Sequence, residues 1–330
     1  MNIIFYMSDT HCCGHIRGEE IARQINKGRD SMIVKANVLK SDYEWADVMI
    51  FQRQLTKEVY AKMRMAKEQG IKVIYDIDDL LLEIPEELGE VAAAFNRPEV
   101  RENILRFLND VDLITAASTG LATSLRDYCQ TPICVLKNGV NPEDWVRSVT
   151  ETNGVTIGWM GSKSHIADAE LVSKALHRVM SETDARLKLI GWVGDTAFSW
   201  LGEFGDRIQQ VGWVEVNILP AAMGDIDIGI APLLNTKFCA AKSSVKWMQY
   251  SAMGIPTVMS PVSCYIDDVE HMKTGVFASN EEEWFGHIKE LVEDESLRKA
   301  IGRDAMLEIL KKHTTKRRSE ELLEVCRSME

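Results

Sequence analysis

Residues 238–261 read FCAAKSSVKWMQYSAMGIPTVMSP, and the fold follows from how this stretch is parsed. Ser243 or Ser244 can cap a helix, and Val245, Met248 and Ala252 repeat at the spacing of a buried stripe. Gly254 ends that helix, and Pro256 leads into a short β-branched strand, Thr257–Met259. Lys242 and Lys246 are expected on one face of the first helical turn. Cations at a helix N-terminus oppose the helix dipole, so an anion is expected to offset them. The free N–H groups of such a head hold phosphate well. A surface turn with solvated lysines is the alternative.

Outward from this stretch, strands and helices alternate. Short apolar runs at Ile3–Met7, Met32–Ala36, Asp47–Phe51, Val73–Tyr75, Leu113–Ala116 and Ile133–Leu136 read as buried parallel strands. A second series follows at Val155–Trp159, Leu187–Trp192, Ile208–Val211, Ile226–Ala231 and Thr257–Met259. Helices are expected at 56–70, 101–108, 166–180, 243–253 and 282–312, with Gly70 closing the first of them. The pattern is α/β: a doubly wound, Rossmann-like domain, twice. The join falls in the aperiodic segment NGVNPEDWVRSVTETNGV, residues 138–155, giving an N-terminal domain of residues 1–145 and a C-terminal one of residues 146–312. Residues 313–330 are expected to return to the first domain as a helix, and the run KKHTTKRR, residues 311–318, belongs to that crossing or forms a phosphate-facing patch. Ligands of such sheets bind beyond the carboxyl ends of the strands, so the cleft between the domains is the expected site.

Composition narrows the class. The 330 residues are 45% hydrophobic and 27% charged, with no basic leader and no run long enough to span a bilayer. Seven cysteines at positions 12, 13, 129, 134, 239, 264 and 326 form no CxxC pair, which suits reduced thiols in a cytoplasm. A net charge of −12 disfavours nonspecific binding to polyanions. His11, Cys12, Cys13 and His15 resemble a ligand cluster, but neighbours in sequence rarely all turn to one metal, and no metal site is expected.

Two further loops carry anion-binding chemistry. In IGWMGSKSHIADAELV, residues 157–172, Gly161 and Ser162 follow a strand and precede a helix, and His165 can cap that helix or touch a phosphate. In SDTHCCGHIRGEE, residues 8–20, Gly14 permits close backbone approach and Arg17 offers a planar fork. Each loop alone is also an ordinary tight turn. The acidic run YDIDDLLLEIP supplies Asp76, Asp78 and Asp79 after a strand, for hydroxyl orientation, acid/base work, Mg²⁺ or simple capping. Asp225 and Asp227 read as structural turn residues. Arg53, Lys57, Lys62, Arg64 and Lys67 lie on one basic amphipathic helix, read as the solvated outer face of a Rossmann helix or as a surface for a membrane or polyanion.

These residues carry a family resemblance. IGWMGSKSHIADAELV, QVGWVEVNILPAAMGDIDIGIAPL and AAKSSVKWMQYSAMGIPTV stand in the order and spacing of the nucleotide-sugar half of retaining glycosyltransferases with the GT-B fold, of the family 4 type. LKNGVNPEDW resembles the end of that family's first domain, and VIYDIDDLLLEIP resembles a subgroup frequent in bacterial and bacteriophage genomes. The resemblance implies a nucleoside diphosphate sugar donor, UDP-linked in the commonest case, with retention of configuration and no required metal. It implies that Gly161 and Ser162 approach the diphosphate, with His165 beside them, and that Trp213 and Val214 hold the base edge through main-chain groups. Ser243, Ser244 and Val245 would present N–H groups to the phosphates, and Gly14 and Arg17 would close on them from the first domain. Lys242, Lys246, Arg17, Asp78 and Asp79 are the implied catalytic side chains.

Two departures stand out. The family's ribose-gripping glutamate falls at Gln249, and its sugar-contacting glutamate falls near Ala241. The acceptor implied is a hydroxymethylated DNA base if the chain is viral, or else a glycan. A non-catalytic binder of sugar nucleotides or glycans, and a sugar-nucleotide epimerase on the same fold, are the competing readings.

Overall fold

The computed structural model describes residues 1–8, 12–147, 154–162, 165–191 and 197–329. They form two compact units. The first takes Met1–Gly139, Ala240–Ser243 and Thr315–Glu330; the second takes Val140–Cys239 and Ser244–Thr314. By contacts the chain thus changes unit at Gly139, and residues 148–153 of the expected linker lie outside the described residues. No composition signal marks the four-residue segment at 240–243.

The first unit is built on β1 (Asn2–Tyr6), β2 (Ser31–Lys35), β3 (Val48–Gln52), β4 (Lys72–Ile77), β5 (Leu113–Ala116) and β6 (Ile133–Val135), parallel throughout in the order β2-β1-β3-β4-β5-β6. All of β3 is buried, which explains its apolar run Val48–Phe51. The winding reverses between β1 and β3, which makes their carboxyl ends the unit's topological switch point. Ile21, Ala22 and Ile25 cover one face of the sheet together with Leu322 and Cys326 of the helix Thr315–Arg327. That helix is anchored where the Thr315 hydroxyl donates to Glu20 at 2.9 Å. On the other face Phe107 stacks on Tyr75 with ring centroids 4.9 Å apart.

The second unit contains β7 (Thr156–Gly161), β8 (Arg186–Gly191), β9 (Ile208–Val211), β10 (Ile228–Ala231), β11 (Thr257–Met259) and β12 (Val276–Phe277), again parallel, in the order β12-β11-β10-β7-β8-β9. This is the dinucleotide-fold order, with its switch point between β7 and β10. β12 is two residues long, too short to show in a hydrophobic pattern, and pairs with β11 through Val258 and Val276. Trp192, expected at the end of β8, lies outside the described residues.

Several helices differ from expectation for local reasons. The segment expected as one helix over 282–312 is two, Glu281–Glu293 and Glu295–Lys312, because the Asp294 carboxylate accepts from Leu297 N at 2.9 Å and starts a new helix. The expected 166–180 helix divides into Ile166–Glu170 and Ser173–Glu182. Arg53 is not on the basic helix. That helix is Lys57–Glu68, capped by the Thr56 hydroxyl, with Val59, Met63 and Ala66 buried, Lys57 and Arg64 exposed, and Lys67 paired with Asp112 at 2.8 Å. Among the described residues no helix is long and apolar enough to cross a membrane.

One glycine pair positions the loop that matters below. Gly191 ends β8 with φ +100°, and a Cβ there would fall 2.2 Å from the carbonyl oxygen of Gly161. Both the left-handed conformation and the close backbone approach require glycine. Gly191→Ala should therefore lower stability by about 1–3 kcal/mol, read as a fall in the urea midpoint, because the blocking atoms are backbone and cannot rotate away.

Candidate functional site

The second unit places its chemistry at the β7/β10 switch point. Gly161 closes β7 against the indole of Trp159, where a Cβ would lie 2.5 Å from the ring. Beyond it the His165 amide donates to Ser162 O at 2.9 Å, forming the turn that the sequence predicts. The His165 ring nitrogen Nδ1 lies 2.8 Å from Asp168 Oδ2. Asp168 is buried, and its other oxygen accepts from Leu234 N at 2.8 Å, in the loop after β10. One carboxylate therefore ties together the loops on both sides of the switch point. Burial alone lifts the Asp168 carboxyl, but the hydrogen bond and charge of His165, the Leu234 amide and the charge of Lys246 outweigh it and hold the group below its usual range.

The helix Val245–Ala252 stands behind these loops. Its Tyr250 hydroxyl donates to Gly158 O at 2.9 Å and its Trp247 indole to Thr274 O at 2.8 Å, so its placement against β7 is fixed. Ser244 occupies the cap position, but its hydroxyl donates to Asp268 rather than accepting from the first turn of the helix. Lys246 carries its Nζ out of solvent, 5.7 Å from the centre of the Trp159 ring. Gln249 is buried on the same helix. Trp213 is 59% exposed and Val214 partly buried, which leaves the indole face open.

The expectation that Lys242 and Lys246 share a helical turn is corrected. The helix begins at Val245, and Lys242 lies in the 240–243 segment of the first unit, where its Nζ is 3.3 Å from Asp79 Oδ1. The Ser243 hydroxyl accepts from Asn138 Nδ2 at 2.9 Å, and the Ser118 hydroxyl donates to Ala241 O at 2.7 Å. Ala241 itself is buried.

Arg17 does not present an open fork either. It is 2% exposed, and its guanidinium meets Asp76 through Nε at 2.7 Å and Nη2 at 2.5 Å. Its Nη1 donates to Leu136 O at 3.0 Å and Asn138 Oδ1 at 2.8 Å. The Thr115 hydroxyl completes the set on Asp76 at 2.6 Å. Such a fork is spent on protein groups. Gly14 lies at the start of the π-helical turn His15–Glu19 with φ −61°, a conformation open to any residue.

At the ends of β3 and β4 a second charged group gathers. Arg53 approaches Asp78 Oδ1 at 3.4 Å, Asp79 Oδ2 at 3.7 Å and Cys13 Sγ at 3.4 Å. Burial lifts the Asp78 carboxyl above its usual range; Arg53 opposes the rise and Asp79 adds to it.

His11 and the Cys12 side chain lie outside the described residues. His15 is taken by Glu19 at 2.9 Å and Glu20 at 3.3 Å, and the hydrogen bond to Glu20 leads in raising its pKa against the cost of burial. Among the described residues no group of three or more His, Cys, Asp or Glu is placed to hold a metal ion. Asp225 pairs with Lys188 at 2.6 Å, and Asp227 pairs with Arg147 at 2.8 Å and accepts from Thr156 N, so both are structural.

Three residues of the two clusters escaped the sequence reading. Asp168 could have been found from its i, i+3 spacing to His165. Asn138 sits in a quoted motif but has no local mark of its tertiary partners. Arg53 was assigned to the wrong element because nothing in QRQL announces its backbone.

With this geometry in place, likeness to known proteins can be read. Residues 154–294 match the family model of the glycosyl transferases group 1. This segment is a glycosyltransferase domain. The whole chain has the GT-B fold: HepE from Anabaena, solved in complex with UDP-glucose, superposes with a TM-score of 0.75 at 14% identity, covering 99% of this chain and 100% of that one. Sucrose-phosphate synthase from Thermosynechococcus elongatus gives 0.70 at 10% identity, covering 100% and 99%. A putative UDP-N-acetylglucosamine 2-epimerase from Listeria monocytogenes gives 0.63 at 9%, covering 99% and 96%. No curated protein sequence matches the chain.

Two expectations follow for pH. Asp168 has a lowered folded pKa, so its stabilisation is complete above the unfolded value of about 3.9 and is lost as pH falls through the folded one. Asp168→Asn should cost about 1–3 kcal/mol at neutral pH and flatten the acid loss of the urea midpoint below pH ~4. Asp78 has the opposite sign: its raised folded pKa means that stability is full below the unfolded value and falls as pH rises through the folded one. Asp78→Asn should raise the melting temperature at neutral pH while lowering any activity that uses the carboxylate.

Proposed function

We propose that the protein transfers a sugar from a uridine diphosphate sugar to a hydroxyl acceptor, retaining anomeric configuration and requiring no metal. The observation that carries this reading is the glycosyltransferase family match over residues 154–294, which contain the switch-point loops and a helix head that the Ser244 side chain leaves uncapped. Uridine is chosen because HepE, which shares the fold, was solved with UDP-glucose and with UDP. In this reading Gly161, Ser162 and the His165 imidazole approach the diphosphate. The amides of Val245 and its neighbours, with Lys246, take its charge. Gln249 grips the ribose by donating one hydrogen bond and accepting another, and Trp213 and Val214 receive the base.

The leaving diphosphate gains negative charge as the sugar–oxygen bond breaks. In this reading a helix head and a buried ammonium face such charge before it develops, so they stabilise the transition state more than the bound donor. Removal of one such group should raise the barrier by about 2.7–4 kcal/mol, or roughly 10²–10³ in kcat. Asp78 and Asp79, with Lys242 beside Asp79, are assigned to orienting hydroxyls. Arg17 is assigned to holding the first unit's strand ends rather than to phosphate.

For the acceptor the candidates are a hydroxymethylated DNA base, as in a bacteriophage DNA-modifying enzyme, and a glycan. Reduced thiols fit work in a cytoplasm. A sugar-nucleotide epimerase would form product with no acceptor present, and a non-catalytic binder, favoured by Gln249 and Ala241, would bind donor without turnover.

UDP and UDP-sugars are expected to raise the melting temperature, and Lys246→Ala is expected to remove most of that rise. Transfer measured with a panel of nucleotide sugars against hydroxymethylated DNA and glycans tests the reaction itself. A flat melting response across the panel would sink the proposal.

A further inference from the structure

Arg53 is conspicuous on physical grounds. Its φ is +48°, a conformation that glycine adopts freely and arginine rarely does. It follows β3 directly, at the switch point of the first unit, and its amide donates to Asp76 O at 3.0 Å across the end of the sheet. The left-handed turn is therefore fixed by backbone hydrogen bonding. If the turn alone mattered, glycine would serve better. The arginine side chain must supply something that offsets the strain.

What it supplies is visible in its contacts. Asp78 is 8% exposed, and its Oδ1 lies out of solvent with no hydrogen bond, 3.4 Å from Arg53 Nε. A buried carboxylate oxygen with an open lone pair is costly and is retained where something else completes it. Beside it, Gln52 is wholly buried. Its Oε1 accepts from Ser8 N, and its Nε2 has no partner. A carboxylate oxygen held by an ion pair without a hydrogen bond and an amide donor with no partner among the described residues thus stand at neighbouring strand ends, where a hydroxyl can complete them.

We propose that Arg53 is a positioning residue whose left-handed backbone aims its guanidinium at Asp78 and Asp79, keeping the Asp78 carboxylate ready to accept a hydrogen bond from a substrate hydroxyl. The hydroxyl belongs to the reaction proposed above, and the inference rests on that reading for its functional part. Its structural part stands alone. Among the described residues, the charged and titratable groups around Asp78 are Arg53 from the end of β3, Asp79 from its own loop, Cys13 and Arg17 from the segment after β1, and Lys242 through Asp79. Tyr75 on β4 also feels Arg53 and Asp78. Of these, Arg53 is the leading influence that favours the ionised carboxylate.

The comparison of Arg53→Gly with Arg53→Lys separates function from scaffold. Arg53→Gly removes the guanidinium and the backbone strain together. Its melting temperature should equal or exceed that of the parent. The Asp78 carboxyl, followed by carbon-13 NMR, should titrate about one pH unit higher. The acid limb of the kcat/KM profile for sugar transfer should move up by the same amount. Arg53→Lys, which keeps a cation at the site, should fall between the two proteins in both titration and limb. A lower melting temperature in Arg53→Gly with an unmoved Asp78 titration would make Arg53 a scaffold residue and overturn the proposal. An unmoved limb in an active enzyme would do the same. If the parent transfers no sugar from any donor, the proposed reaction fails, and the Asp78 titration still decides whether Arg53 controls the carboxyl. Should Arg53→Gly not fold, the Arg53→Lys titration alone decides it, an unshifted value counting against.

Discussion

The first unit depends on a guanidinium and a carboxylate that have both left water. Arg17 and Asp76 are almost completely buried, so each carries a desolvation cost of several kcal/mol that their mutual attraction alone need not cover. The surrounding bonds cover the remainder. Leu136 O and Asn138 accept from Arg17, and Thr115 donates to Asp76, so the charge is distributed over hydrogen bonds with good geometry. The bonds come from the turn after β1, the end of β4, the middle of β5 and the segment after β6. A single charged pair thereby fixes four separate pieces of chain at the carboxyl edge of one sheet. Loss of one member alone would strand the other, at a cost of about 3–5 kcal/mol.

The second unit reaches a similar end with one carboxylate. Asp168 joins the loop after β7 to the loop after β10 by accepting from His165 and Leu234, across the position where the winding reverses. Asp168 and Asp78 differ in how their charges are supported. Asp168 is surrounded by donors and stays anionic, which leaves the His165 ring fixed by one nitrogen. Asp78 is buried with less support, and its charge is costly. A group that a protein stabilises is usually part of its frame, whereas one that it keeps at a loss is more often kept for chemistry.

Much of this was legible in the sequence. Every strand expected from short β-branched runs exists, among them β5, β9 and β11 with unchanged ends, because a strand buried on both faces has little freedom in composition. Gly161 was legible because a glycine after a buried strand marks a close approach, here to Trp159. The errors share one cause. Arg17 and Lys242 were read as free to meet a ligand, since local sequence gives the chemistry of a side chain and not its tertiary partner. Asp76 and Asp79, which occupy them, lie 59 and 163 residues away. Arg53 failed for the reason that left-handed backbone at a non-glycine residue has no signature in composition.

The discontinuity of the first unit has a consequence for its biosynthesis. Residues 1–139 contain all six of its strands, yet Ile21, Ala22 and Ile25 receive part of their cover from Leu322 and Cys326. A nascent chain must therefore carry an unfinished hydrophobic face through the translation of the entire second unit. At a synthesis rate of about 5–20 residues per second, that exposure lasts roughly ten seconds or more. Over this interval the growing polypeptide is open to chaperones and to self-association, and a stop codon before residue 315 would make the exposure permanent.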